Sequence, residues 1–150
     1  MTAGMQQQDA LTVVLVGRWE QSSRKIAELA EVIPAEKFDS RPLAEIRSIS
    51  EVLRHVAFWN QYVVDVLRGK KADEAGNELP PAAYANKASI VEALKRMSAD
   101  VATALGEHHG PLDLKATELI MTFVEHASEH YGQLAVYTRL MGIVPPASRT

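Results

Sequence analysis

Apolar residues return at three- and four-residue steps in four stretches of the chain, and between those stretches the period disappears. The first stretch runs from about Gln6 to Val32, where Leu11, Val14, Leu15, Trp19, Ile26, Leu29 and Ala30 predict an amphipathic helix that stops before Pro34. Its middle, Gln21 to Lys25, is polar, as in a helix covering a bundle. The second stretch opens with Ser48-Ile49-Ser50-Glu51, a capping box in which Ser48 accepts from the third helical amide and Glu51 reaches back. Ile49, Val52, Val56, Trp59, Val63 and Val66 follow in alternating steps of three and four, and Gly69 closes the helix. The third carries Ile90, Leu94, Met97, Val101 and Leu105, with Asn86 or Ser89 as its cap and Gly106 near its end. The fourth, roughly Ala116 to Met141, places Leu119, Ile120, Phe123, Ala127, Leu134, Tyr137 and Met141 on one side; Gly142 and Pro145-Pro146 stop it.

The connections set the topology. Pro34 to Arg47 is a loop, and Glu107 to Pro111 is a turn. Gly69 to Asn86 holds Gly76, Pro80 and Pro81 and shows no period. A connection that long exceeds what antiparallel neighbours need, so it reads as a crossover that leaves the second and third helices parallel. The expected fold is all-α: a four-helix bundle of up-down-down-up order forming a single domain over residues 1–150.

Composition narrows the functions. A formal charge of -3 with scattered basic residues lacks the cationic face that DNA or RNA binding needs, so no nucleic-acid partner is expected. Cysteine is absent, which removes disulfides and thiolate ligands and makes any metal site one of nitrogen and oxygen. No stretch reaches the roughly 18 apolar residues of a membrane span, and the apolar run Leu11 to Val16 is too short for a signal peptide. A cytoplasmic protein with a small-molecule substrate is expected.

The chemistry is concentrated in Val124-Glu125-His126-Ala127-Ser128-Glu129-His130-Tyr131-Gly132-Gln133. On one helix, His126 and His130 lie about 40° apart around the axis and about 6 Å apart along it, so both rings leave the same face. Two imidazoles in an apolar stripe cost stability unless their nitrogens are bonded, either to hydroxyls and each other or to a shared metal. His55, on the flank of the second helix with Ser48 and Tyr62, faces a neighbouring helix and supplies a third candidate. Three imidazoles leave a coordination position open, as in catalytic sites, and do not choose among zinc, nickel and iron(II). Trp59, Tyr62 and Phe123 can wall a pocket, although such aromatic residues usually form core, and Asn60 or Gln133 can hold the outer N–H of a ligating ring. His126-x-x-Glu129-His130 also matches the inverted zinc-peptidase pattern, with Glu129 as a general base; the alternative for Glu129 is a solvated helix position. Glu125, His108 and His109 read as surface residues, and Arg139 as a complement to the helix dipole.

His55 early in the second helix, then His126-Ala-Ser-Glu-His130-Tyr-Gly-Gln133 and Tyr137-Thr-Arg139-Leu-Met-Gly142-Ile-Val-Pro145-Pro146-Ala-Ser148, resemble the DinB/YfiT-like superfamily of metal-dependent enzymes. The resemblance spans nearly the whole chain, including Ser48-Ile49-Ser50-Glu51-Val52-Leu53. It implies the up-down-down-up bundle, frequent homodimers, and a divalent metal ion held by His55, His126 and His130. It further implies a thiol-dependent transferase or isomerase using a low-molecular-weight thiol such as bacillithiol or mycothiol. A metal-dependent hydrolase using Glu129, or a non-catalytic, stress-associated metal-binding bundle, stands as the alternative.

Overall fold

Each helix begins at a side chain that satisfies an amide the helix itself leaves free. In the computed structural model, which describes residues 9–150, these helices are α1 (Ala10–Val32), α2 (Ile49–Leu67), α3 (Lys87–Gly106) and α4 (Leu114–Leu140). Asp9 accepts from the Thr12 amide and Asp113 from that of Ala116. Ser48 with Glu51, and Asn86 with Ser89, form reciprocal capping boxes. Asp113 starts α4 two residues before the expected Ala116. Gln6 to Gln8, the start of the expected first helix, lie outside the described residues. Gly69 (φ 66°) and Gly142 (φ 77°) follow α2 and α4 in the left-handed conformation that glycine adopts without a Cβ clash. There is no strand among the described residues.

Named contacts give the helix directions. Trp19 Nε1 donates to the Ser98 carbonyl at 3.0 Å, and Lys87 Nζ donates to the Glu31 and Ile33 carbonyls, so α1 and α3 are antiparallel. Tyr137 bonds to Arg47, and His126 to His55, so α2 and α4 are antiparallel as well. Two apolar clusters stack along the axis, each with residues of all four helices. One holds Leu29, Ile49, Val52, Ile90, Leu94 and Leu134; the other holds Leu15, Trp19, Val63, Val101, Leu105 and Ile120. Within them the first half of α2 meets the first half of α3, so these two run parallel. The order is up, down, down, up.

The crossover between α2 and α3 is pinned to the side of α2. Leu79 is buried and its amide donates to the Arg54 carbonyl at 3.3 Å; the buried Arg54 guanidinium pairs with Glu78 at 2.6 Å and reaches the Tyr84 carbonyl. The large apolar side chains left exposed on helices are Leu11, Val13 and Val14 of α1 and Leu114, Met121, Val136 and Leu140 of α4. α3 turns its large apolar residues inward because it packs against both α1 and α2.

Candidate metal centre

His126 and His130 leave α4 one turn apart and meet His55 of α2, and one nitrogen from each of the three rings lies within 4.8 Å of the others. His55 is buried, and the other two are half-buried at the seam between α2 and α4. The closest approach is 2.9 Å, between His126 Nε2 and His55 Nε2.

The outer nitrogens fix which way the lone pairs point. His55 Nδ1 lies 2.6 Å from the Asn77 carbonyl oxygen. A carbonyl only accepts, so Nδ1 carries the proton and Nε2 presents its lone pair to the cluster. The same logic reaches His130 through a longer chain. The Tyr137 hydroxyl donates to the Arg47 carbonyl at 3.0 Å and therefore accepts from Gln133 Nε2 at 2.9 Å. That orientation turns Gln133 Oε1 toward His130 Nδ1, 2.9 Å away, so Nδ1 again donates and Nε2 is free. His126 shows no such outer bond.

Positive charge is disfavoured on His126 and His55. Burial pushes His126 down from 6.5 to about 3, helped by the charges of His130, His55 and Arg47. Burial also lowers His55; the Asn77 carbonyl opposes that shift, and Arg47 adds to it. Neutral rings are the form that binds a metal; His55 and His130 turn lone pairs inward, and His126 Nε2 donates to the lone pair of His55 at 2.9 Å.

Beside the cluster, Trp59 stacks on Phe123 with ring centres 5.5 Å apart, and Tyr62 meets both. Phe123 and Trp59 also approach the His126 ring edge-on. These aromatic residues, read from the sequence as core or pocket wall, flank the histidines. Asn77 was not singled out in the sequence, yet it serves twice, since its side-chain oxygen also accepts from Trp59 Nε1 at 3.1 Å. Gln133 supports a histidine as expected, whereas Asn60 is buried without a bond to one. Glu125 and Glu129 are exposed, and Glu129 takes part in no ion pair among the described residues. His108 and His109 are exposed in the turn before α4. Arg139 reaches the Ala135 carbonyl and Ser148 Oγ at the C-terminal end of α4. The wider surface clefts lie elsewhere, one of them along α1 and α3 between Arg24, Ala27, Lys95 and Ala99.

The sequence model of the DinB family matches residues 5–149, nearly the whole chain. A search of curated proteins gives no match.

Proposed function

The chain belongs to the DinB family, and from that membership and the clustered histidines we propose that it is a metal-dependent enzyme. In this proposal His55, His126 and His130 hold one divalent ion, and the reaction is a thiol-dependent transfer or isomerisation of a small molecule. The observation that carries it is the polarity of the outer bonds. Asn77 and Gln133 leave two Nε2 lone pairs converging on the third ring, which is the donor set that zinc, nickel or iron(II) accepts. A divalent ion bound there supplies Lewis acidity toward a sulfur or oxygen.

The chain's own residues do the rest. Three protein ligands leave a position open for a substrate atom. Trp59 and Phe123 make one flank of the histidine cluster apolar, and the bonds from Asn77 and Gln133 hold two rings at fixed angles. A cytoplasmic homodimer belongs to the same proposal, supported by family resemblance and by the apolar side chains left exposed on α1 and α4; sedimentation velocity measures it.

The test is metal content followed by activity. Purified protein should hold one ion per chain, and His130→Ala should lose it. Zinc- or nickel-loaded protein should consume a small thiol in the presence of an electrophile. Wild-type protein that binds no stoichiometric ion sinks the proposal. Metal-dependent cleavage of an ester or peptide, abolished in Glu129→Gln, would move the function to the hydrolase reading.

A further inference from the structure

His130, Gln133 and Tyr137 follow one another along α4 at steps of three and four, and their hydrogen bonds end on a main-chain group of another element. That group is the peptide between Arg47 and Ser48. The first acceptor inside α2 is the Ser48 carbonyl, so the Arg47 carbonyl stands outside the ladder and is open to an outside donor. The amide of the same peptide is held from its other edge. Ser48 N donates to Glu51 Oε2 at 2.6 Å, and Arg41 pairs with that carboxylate at 3.1 Å. The next two amides, of Ile49 and Ser50, donate to the Ser40 and Phe38 carbonyls. The plane of the Arg47–Ser48 peptide is therefore set, and its oxygen is an acceptor in a fixed place.

Tyr137 is buried, and its hydroxyl has a single proton. With that proton on the Arg47 carbonyl, the hydroxyl can only accept from the Gln133 amide. A glutamine does not choose its own orientation. Turned over, it would present its NH2 to His130 Nδ1, and the ring would then keep its proton on Nε2, the nitrogen left for the cluster. In that form Nε2 has no lone pair to offer. The choice is made neither by His130 nor by Gln133 but one bond further on, where one proton meets one fixed acceptor. His55 needs no such relay, because the main-chain carbonyl of Asn77 that accepts from its Nδ1 has no donor end to turn toward it.

We propose that Tyr137 is a positioning residue of the site: its hydroxyl, committed to the Arg47 carbonyl, selects the orientation of Gln133 and through it the tautomer of His130. The consequence for a bound ion rests on the three-histidine metal reading; the control of the tautomer does not. The phenol touches no ligand atom, and it acts entirely through the Gln133 amide.

Long-range proton–nitrogen NMR of isotope-labelled protein, stripped of metal and with the rings neutral, reads the tautomer directly. Wild-type His130 should favour the Nδ1–H form by about tenfold or more, and Tyr137→Phe should bring the two forms within about threefold of each other. Zinc affinity should drop roughly tenfold in the same variant. Gln133→Glu combined with Tyr137→Phe supplies a side chain that only accepts, so the Nδ1–H form should return although the hydroxyl is still missing. A general loosening of α4 would not be reversed in that way. Wild-type His130 with its proton on Nε2, an Nδ1–H form that persists undiminished in Tyr137→Phe, or a double variant that fails to restore it overturns the proposal. Zinc titration separates this assignment from the metal reading. If wild type binds no zinc but the tautomer changes in Tyr137→Phe, the metal reading falls and the role of Tyr137 stands. If wild type and Tyr137→Phe bind zinc equally and the tautomer is unchanged, the role of Tyr137 falls and the metal reading stands.

Discussion

Two of the three histidines have an outer nitrogen held by an oxygen that only accepts, while the third has none. The Asn77 carbonyl favours a charged His55 ring and so opposes the burial that lowers its pKa. His126 lacks such an acceptor, and burial, followed by the positive charges around it, depresses its pKa to about 3 from 6.5. The folded protein therefore refuses a proton that the unfolded chain takes up near 6.5. Stability from this source is complete above the unfolded value and is lost as pH falls below it, with the loss levelling off near the folded value. For metal-free protein the unfolding free energy should fall between pH 7.5 and pH 5 by at most about 2 kcal/mol from this one group, and by less as solvent screens the half-buried ring. His126→Gln should flatten that slope; an unchanged slope in the variant would place the acid sensitivity elsewhere.

Among the connecting elements, the crossover does more than join α2 to α3. It grips α2 at Arg54, His55, Phe58 and Trp59 through four consecutive residues, Gly76 to Leu79. Gly76 is what lets it lie so close: a Cβ there would stand 2.7 Å from Phe58 Cε2 and 2.8 Å from Asp73 Oδ2. The Phe58 ring is buried and has little room to retreat. Gly76→Ala should lift the segment off α2, costing about 1–3 kcal/mol and weakening the Asn77 bond to His55. Hydrogen exchange at the Leu79 amide should speed up, and zinc affinity should drop by roughly tenfold. Unaltered protection of Leu79 in a folded variant would show that the contact is not tight. This element also marks the limit of what the sequence discloses. The helices were legible because apolar period, capping boxes and stop signals are local, and His126 with His130 because four residues make one turn. Gln133 was legible for the same reason. Asn77, by contrast, bonds across 22 residues from inside an aperiodic segment, where its composition signals only a loop. Tyr137 reads as one more apolar position, since the partner of its hydroxyl is 90 residues away.

At the scale of the whole molecule, the histidines join two helices that the apolar clusters already hold. His55 lies on α2 among the residues of the cluster that holds Ile49 and Val52, and His126 lies on α4 between Ile120 of the other cluster and Ala127 of this one. An ion shared by these rings would tie α2 to α4 across their seam. It would do so only in the folded chain, since His55 is 71 residues from His126. Binding to the folded state alone adds stability by mass action, about 2.7 kcal/mol at a free ion concentration one hundred times Kd. For a chain of this size that corresponds to a rise in Tm of roughly 5–10 °C. Differential scanning calorimetry with and without zinc should show this rise in wild type, and a chelator should reverse it. His130→Ala removes a half-buried ring and leaves the apolar clusters intact, so it should fold without metal and gain little from zinc. An equal rise in the variant would mean that the ion binds some other group on the surface, and the α2–α4 seam would then be a packed histidine cluster held by its own hydrogen bonds.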